Sequence, residues 1–349
     1  MTRRLVVAPL VLFVAACSPP PSSANVFTDL GSLTMPAAVT ARDGGASVPI
    51  DDQVLWMFGD TLMTVTAGDG FTYRSATAAW GGVDSPLALD EPLDERGAPY
   101  QLFPYTVDEA AYNTTNGPME RYALWPGSAI PAPGGNAAWI FYQRLLVHPG
   151  DLNYQALDVG LARLTSGSTI ASRDPAPLFT APTPAYALAA VVDGGFVYLY
   201  GVTPVAGELD STCTVVRAPL ESAPDPTAWT AWDGAAWNAD LTGAATVLHG
   251  PPGDLSVSFN AHLGAFLAVY SGIFSNDVWM RTAPRPEGPW SDARKLFTAI
   301  PPTSSSDTDY AGKEHPELAR DGGAQLVVST ARSTGNFQGE VRLALVPLP

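Results

Sequence analysis

Cysteine is nearly absent: the 349 residues hold two, Cys17 and Cys213. Cys17 closes an N-terminal leader, so Cys213 is left without a partner after processing. That excludes an intrachain disulfide and a cysteine-based metal cluster, and it assigns Cys213 to core filling on a strand. Basic residues are scarce as well, 18 Lys and Arg against 34 Asp and Glu, for a formal net charge of −16. Nucleic acid, which wants a basic stripe, is excluded as a partner, and so is an electrostatic grip on anionic lipid. A neutral or cationic partner fits this surface better. Long apolar patterns with a 3.6-residue period are also missing, which argues against a helical fold.

What is present begins with the leader. "MTRRLVVAPLVLFVAAC" places Arg3 and Arg4 before an apolar run and small residues before Cys17, the form of a signal peptide and not of a membrane span. "VAAC" resembles the lipobox of bacterial lipoproteins, in which Cys17 becomes the lipidated N-terminus. Ser18 at the next position points to an outer-membrane rather than an inner-membrane address in the bacterial cell envelope. Residues 1–17 are therefore read as signal peptide, 18–25 ("SPPPSSAN") as a stiff polar tether, and 26–349 as one folded, monomeric domain.

Glycine and proline are abundant, at 32 and 33 residues. Short apolar runs bounded by turn residues recur: "DDQVLWMFGDT" from Asp51, "PGGNAAWIFYQ" from Pro133, "VDGGFVYLYGV" from Val192, "AHLGAFLAVYSG" from Ala261 and "RDGGAQLVVST" from Arg320. Each is a tight turn followed by a strand with alternating bulky residues. "DVGLARL", "CTVVRAPL", "DVWMRTAP" and "EVRLALVP" follow as second elements of the same unit. Five such units predict an all-β, five-bladed β-propeller, whose radial repetition hides sheet edges by closing the ring. Closure predicts that the C-terminal strand near Val341 to Val346 pairs with chain near Val26 to Leu33.

One stretch asks for an explanation. "VLWMFGDT" is a strand of large apolar residues that ends in a bare carboxylate, Asp60, and an unpaired buried Asp costs several kcal/mol. Asp60 either caps a turn or lines a site, and Asp43 in "RDGG" poses the same choice.

Together, "RDGGASVPIDDQVLWMFGDT", "LWPGSAI", "SVSFNAHLGAFLAVYS", "RTAPRPEGPWS" and "EHPEL" resemble a family of bacterial five-bladed propellers long catalogued as a domain of unknown function. Some members are endo-D-arabinanases, and the family is similar, at a distance, to the arabinanase, levansucrase and invertase propellers. The resemblance implies a glycoside hydrolase acting on a furanose-rich, arabinan-like polysaccharide at the axial cleft, with Asp43 and Asp60 as the acidic pair. Glycoside hydrolysis needs one carboxyl group to protonate the leaving oxygen and another to activate water or attack carbon. Arg42 is expected to hold one of the pair ionised, and Glu317 in "HPEL" is either a third acid or a rim residue. His315 is expected to bind substrate hydroxyls, or to be a hydrogen-bonded structural histidine. Asn260 and His262 either reach the cleft or shape a turn, and Trp125 stacks on sugar or packs a blade. No cofactor is required, although the acidic segment between Gly81 and Glu120, expected to be an extended loop, and the channel leave room for a structural calcium. Two other classes stay open: a propeller that binds glycan without cutting it, and a protein-binding scaffold.

Overall fold

The computed structural model describes residues 27–150, 153–205, 210–251, 254–272, 275–304 and 309–348. The leader, Cys17 and the tether lie outside the described residues. The strands form five antiparallel sheets arranged as the blades of a propeller. Their innermost strands are Val39–Ile50, Arg121–Pro131, Ala189–Asp193, Ser256–Asn260 and Tyr310–Glu314. Each packs against the next, and the last packs against the first.

The five repeats seen in the sequence are the second strands of the five blades: Gln53–Met63, Ala137–Val147, Phe196–Pro204, Ala265–Ser271 and Gln325–Gly335. A tight turn returns the chain from the innermost strand into each of them, as at Ile50 opposite Gln53 and Asp193 opposite Phe196. The second elements "DVGLARL", "CTVVRAPL", "DVWMRTAP" and "EVRLALVP" fall on the third strands of blades two to five.

Side-chain alternation explains why these second strands are so apolar. Successive residues of a strand point to opposite faces, and each face here is covered by a neighbouring blade. Leu55 and Met57 join the core between the first and second blades, while Val54, Trp56 and Phe58 join the core between the first and the fifth. Phe266 and Ala268 face the third blade in the same way, and Leu267 and Val269 face the fifth. Five such cores, one per pair of neighbouring blades, ring the axis.

The ring closes as its edges require. Thr28–Ser32 pairs antiparallel with the C-terminal strand Gln338–Pro347, with Thr28 opposite Leu345 and Ser32 opposite Arg342. The Arg342 guanidinium, 2.6 Å from Asp29 Oδ2, ties the same two strands through their side chains.

The acidic segment after Gly81 is not a bare loop. It contains the helix Val107–Asn116, started by a capping box in which the Glu109 N–H donates to Thr106 Oγ1 and the Thr106 N–H donates to Glu109 Oε2. The carboxylate of Glu91 pairs with Arg42, and Asp94 accepts backbone N–H groups from Gly68, Arg96 and Ala98. These acids tie the segment to itself and to the first blade through Arg42 and Gly68. No group of three or more His, Cys, Asp or Glu side chains that could hold a metal occurs among the described residues.

Candidate functional site

The mouth of the axis is built first from the kinked strand Val39–Ile50. Gly44 and Gly45, at φ 79° and 101°, carry register shifts against the neighbouring strand, so "RDGG" is a pair of bulges inside the innermost strand and not a turn. Bulges re-aim side chains, and this one sets the Asp43 carboxylate against Gly59 of the next strand. A Cβ at position 59 would collide with Asp43 Oδ1. The glycine of "FGDT" is thereby explained: it leaves room for the other acid.

Asp43 and Asp60 are brought together. The backbone N–H of Asp60 donates to the Asp43 carboxylate. The Asp60 side chain is held by its neighbour blade, with Arg121 Nη2 2.5 Å from Oδ2 and the Trp125 indole N–H 3.1 Å from Oδ1. Arg121 is itself anchored by donating to the Pro118 carbonyl at 2.7 Å. From the fifth blade the Tyr310 hydroxyl donates to Asp43 Oδ2 at 3.2 Å. A third carboxylate, Asp254, enters immediately before the innermost strand of the fourth blade, 3.7 Å from Lys313 Nζ. Burial first, and then the charges of Asp60 and Asp254, push the Asp43 carboxyl up to about 8, while the Tyr310 hydroxyl and the Asp60 N–H pull it down. Burial and the neighbouring carboxylates thus favour the protonated form of Asp43. Its rim is aromatic: Tyr310 and Tyr154 are 44% and 45% exposed, and Tyr154 meets Trp125 edge to face at 5.2 Å.

Below the mouth the axis is closed by a cation from the chain itself. Lys313 is buried, and its ammonium donates to the carbonyls of Gly127, Leu188 and Leu255 at 3.2 to 3.3 Å. Those carbonyls come from the second, third and fourth blades, so one side chain of the fifth blade spans the channel. Burial lowers its pKa, and Asp254 opposes that shift.

The other sequence candidates lie elsewhere. Arg42 does not reach the acid pair: its neighbour Asp43 takes the cleft side of the strand, and Arg42 turns inward to Glu91 at 2.7 Å, the Thr34 carbonyl at 2.6 Å and the Phe58 ring at 3.7 Å. His315 and Glu317 sit past the far end of the Tyr310–Glu314 strand. There Ser47 Oγ is 2.5 Å from His315 Nδ1 and also donates to Glu317 Oε1, and Ser329 Oγ is 2.8 Å from His315 Nε2. His315 is fully buried beside Trp56, and burial pushes its pKa down to about 3, so it is a neutral structural histidine. Asn260 shapes a turn through Gly323 and Leu263, and His262 is exposed on that turn. Trp125 does reach the mouth, where its indole N–H serves Asp60.

Sequence reasoning missed Arg121, Tyr154, Asp254 and Tyr310 as site residues. The usable signal was position: each innermost strand lies one strand length upstream of a hairpin turn, and the residues at its start converge on the axis. Asp254 in "GPPGDLS" looks like a loop acid until the turn at Ala261 is used to count back.

Residues 166–335 match a family model described as a domain of unknown function, DUF4185. No curated protein matches the sequence. Among solved structures, the chain is similar to a Bacteroides ovatus protein provisionally named a hydrolase, at 15% identity and a TM-score of 0.65, covering 89% of this chain and 87% of that one. It is also similar to a GH43_1 enzyme from Xanthomonas citri solved with xylotriose, at 12% identity and a TM-score of 0.54, covering 91% and 90%. An exo-β-1,3-galactanase from Phanerochaete chrysosporium solved with β-1,3-galactotriose gives 12% identity and a TM-score of 0.52, covering 91% of this chain and 64% of that one. The chain is thus a single-domain, five-bladed propeller with a DUF4185 match over residues 166–335, sharing its fold with GH43 glycoside hydrolases.

Proposed function

We propose that the protein is a glycoside hydrolase of the bacterial cell envelope that cuts a furanose-rich, arabinan-like polysaccharide at the axial mouth. The observation that carries this reading is the convergence of Asp43, Asp60 and Asp254, where burial and like charge favour a proton on Asp43. Asp43 is the acid: its proton passes to the glycosidic oxygen as the bond to the anomeric carbon breaks. Both oxygens of Asp60 are engaged by Arg121 and Trp125, so its part is to raise Asp43 by its charge. Asp254 is the group left to act on water, accepting its proton as the water oxygen bonds to the anomeric carbon. Dividing the roles by pushing carboxyl pKa values apart is how such sites work at neutral pH. The reading needs no metal, since the Lys313 ammonium already serves the channel carbonyls. Lipidation at Cys17 would hold the monomer on the outer membrane next to wall polymers.

A second reading has its own support. The engagement of Asp60 and the aromatic rim also suit a groove that binds glycan without cutting it. Incubating the processed protein with arabinan, fructan and bacterial wall glycans separates the two. New reducing ends support the hydrolase; saccharide binding without new reducing ends supports the groove and overturns the hydrolase.

A further inference from the structure

A cavity lies away from the axis, on the second blade. It measures about 460 Å³ and is lined among others by Glu109, Tyr112, Tyr122, Arg144, Asp158 and Arg173. The blade's register fixes where it opens. Leu124 lies opposite Arg144 and Arg144 opposite Asp158, so these residues occupy the end of the blade that also carries Arg121, Trp125 and Tyr154 to the mouth. The helix Val107–Asn116 covers the cavity through Glu109 and Tyr112. Both openings therefore belong to one face.

The chemistry of the walls selects the ligand. Arg144 is engaged by Asp158, with Nε 2.9 Å and Nη2 2.5 Å from Oδ2, and Arg173 by Glu109 at 2.6 and 3.1 Å. With their charges matched by Asp158 and Glu109, these arginines offer no net positive charge to an anion. Tyr122, whose ring lies 5.8 Å from the Arg144 guanidinium carbon, has a hydroxyl with no hydrogen-bond partner among the described residues. Arg144 Nη1 stands 3.8 Å from Glu109 Oε1, too far for a hydrogen bond, and is likewise open to a ligand. Tyr112 and Tyr122 meet edge to face at 5.1 Å and give an apolar wall beside these polar atoms. Fixed ion pairs, spare donors and tyrosine faces in a cavity inside the roughly 300–1,000 Å³ range of small-molecule sites suit a neutral polyol.

We propose that this cavity is a second carbohydrate site, holding neutral sugar units of the same polymer at a distance from the bond at the axial mouth. The proposal rests on the glycan reading of that mouth and extends it to a long substrate held at two points. It requires that binding depend on chain length. The test is calorimetric titration of the processed protein with an arabinan-derived octasaccharide and with the disaccharide, for wild type and for Arg144→Ala, Tyr122→Phe and Trp125→Ala. Tyr122→Phe deletes only the hydroxyl and keeps the ring, so it reports even where Arg144→Ala does not fold. The proposal expects Tyr122→Phe and Arg144→Ala to weaken octasaccharide binding, Arg144→Ala by at least tenfold, and to leave disaccharide binding within twofold of wild type. Trp125→Ala should weaken both ligands. Octasaccharide binding that falls in Trp125→Ala but stays at the wild-type value in both cavity variants would overturn the second site and spare the first. Failure of wild type to bind either saccharide would overturn both.

Discussion

The two ends of the innermost strand of the fifth blade carry acids that burial treats alike and surroundings do not. At its start, by Tyr310, Asp43 is pushed up to about 8 and faces an aromatic, partly open mouth together with Asp60 and Asp254. At its end, Glu314 is pushed up to about 7 and Glu317 is also raised, both first by burial. Yet Glu314 accepts from Ser258 at 2.6 Å and Glu317 accepts from Ser47, hydroxyls supplied by neighbouring blades. A raised carboxyl pKa therefore does not by itself mark a site. What separates the two ends is exposure: Asp43 lies beside the 44% exposed Tyr310 at the rim, whereas Glu314 and Glu317 are closed in and held by serines of neighbouring blades.

That contrast breaks most sharply under substitution. Asp43→Asn and Asp254→Asn should each lower turnover on a cleaved glycan by at least about a hundredfold, the usual scale for losing a general acid or base. Thermal unfolding of Asp43→Asn should stay at or above the wild-type midpoint at pH 9, because the neutral amide removes a carboxylate that burial disfavours. Turnover within a few-fold of wild type in either variant would move the chemistry elsewhere.

Lys313 lies between the two ends and should dominate stability. Lys313→Met leaves three buried carbonyls without that donor, and a buried acceptor left unsatisfied costs about 1–3 kcal/mol. Chemical denaturation should show a loss of that order, and a variant as stable as wild type would refute the bridging role.

Glu317→Gln should do the reverse of Asp43→Asn. Its hydroxyl network is structural, so activity should stay within about twofold while stability falls by about 1–3 kcal/mol, the cost of a disturbed buried hydrogen bond. A hundredfold loss of turnover at unchanged stability would restore Glu317 to the site.

The same contrast shows what a sequence can display. Five turn-plus-strand repeats gave away the blades because a second strand buried on both faces must be apolar throughout, as Val54 to Phe58 are. Ring closure was legible because an unpaired edge is costly, and the pairing of Thr28–Ser32 with the C-terminal strand meets that need. Asp43 and Asp60 stood out as bare acids beside glycines, Asp60 at the end of an apolar strand. Glu317 and His315 stood out for the same kind of reason, a charged motif near a turn, but they lie past the end of the Tyr310–Glu314 strand, on and before the 3-10 turn Pro316–Leu318, in another environment. Arg42 failed through the strand period of two, since adjacent residues of a strand cannot share a face. Asp254 and Arg121 were hidden because convergence at an axis joins residues of different blades, and no local pattern carries that information. The helix Val107–Asn116 was hidden behind Pro, Gly and acidic residues that read as loop, although Thr106 and Glu109 form a capping box.

The most direct test of Asp43 as the proton donor is the pH dependence of kcat/KM on a cleaved glycan, for wild type and Asp60→Asn. Asp43 must be protonated, so wild-type activity should fall as pH rises through about 8. Removing the Asp60 charge takes away a like charge that favours the protonated form, so the alkaline limb of Asp60→Asn should move to lower pH, by about one unit. An alkaline limb that stays where it is in Asp60→Asn, or wild-type activity that persists undiminished well above pH 8, would contradict the assignment of the proton to Asp43.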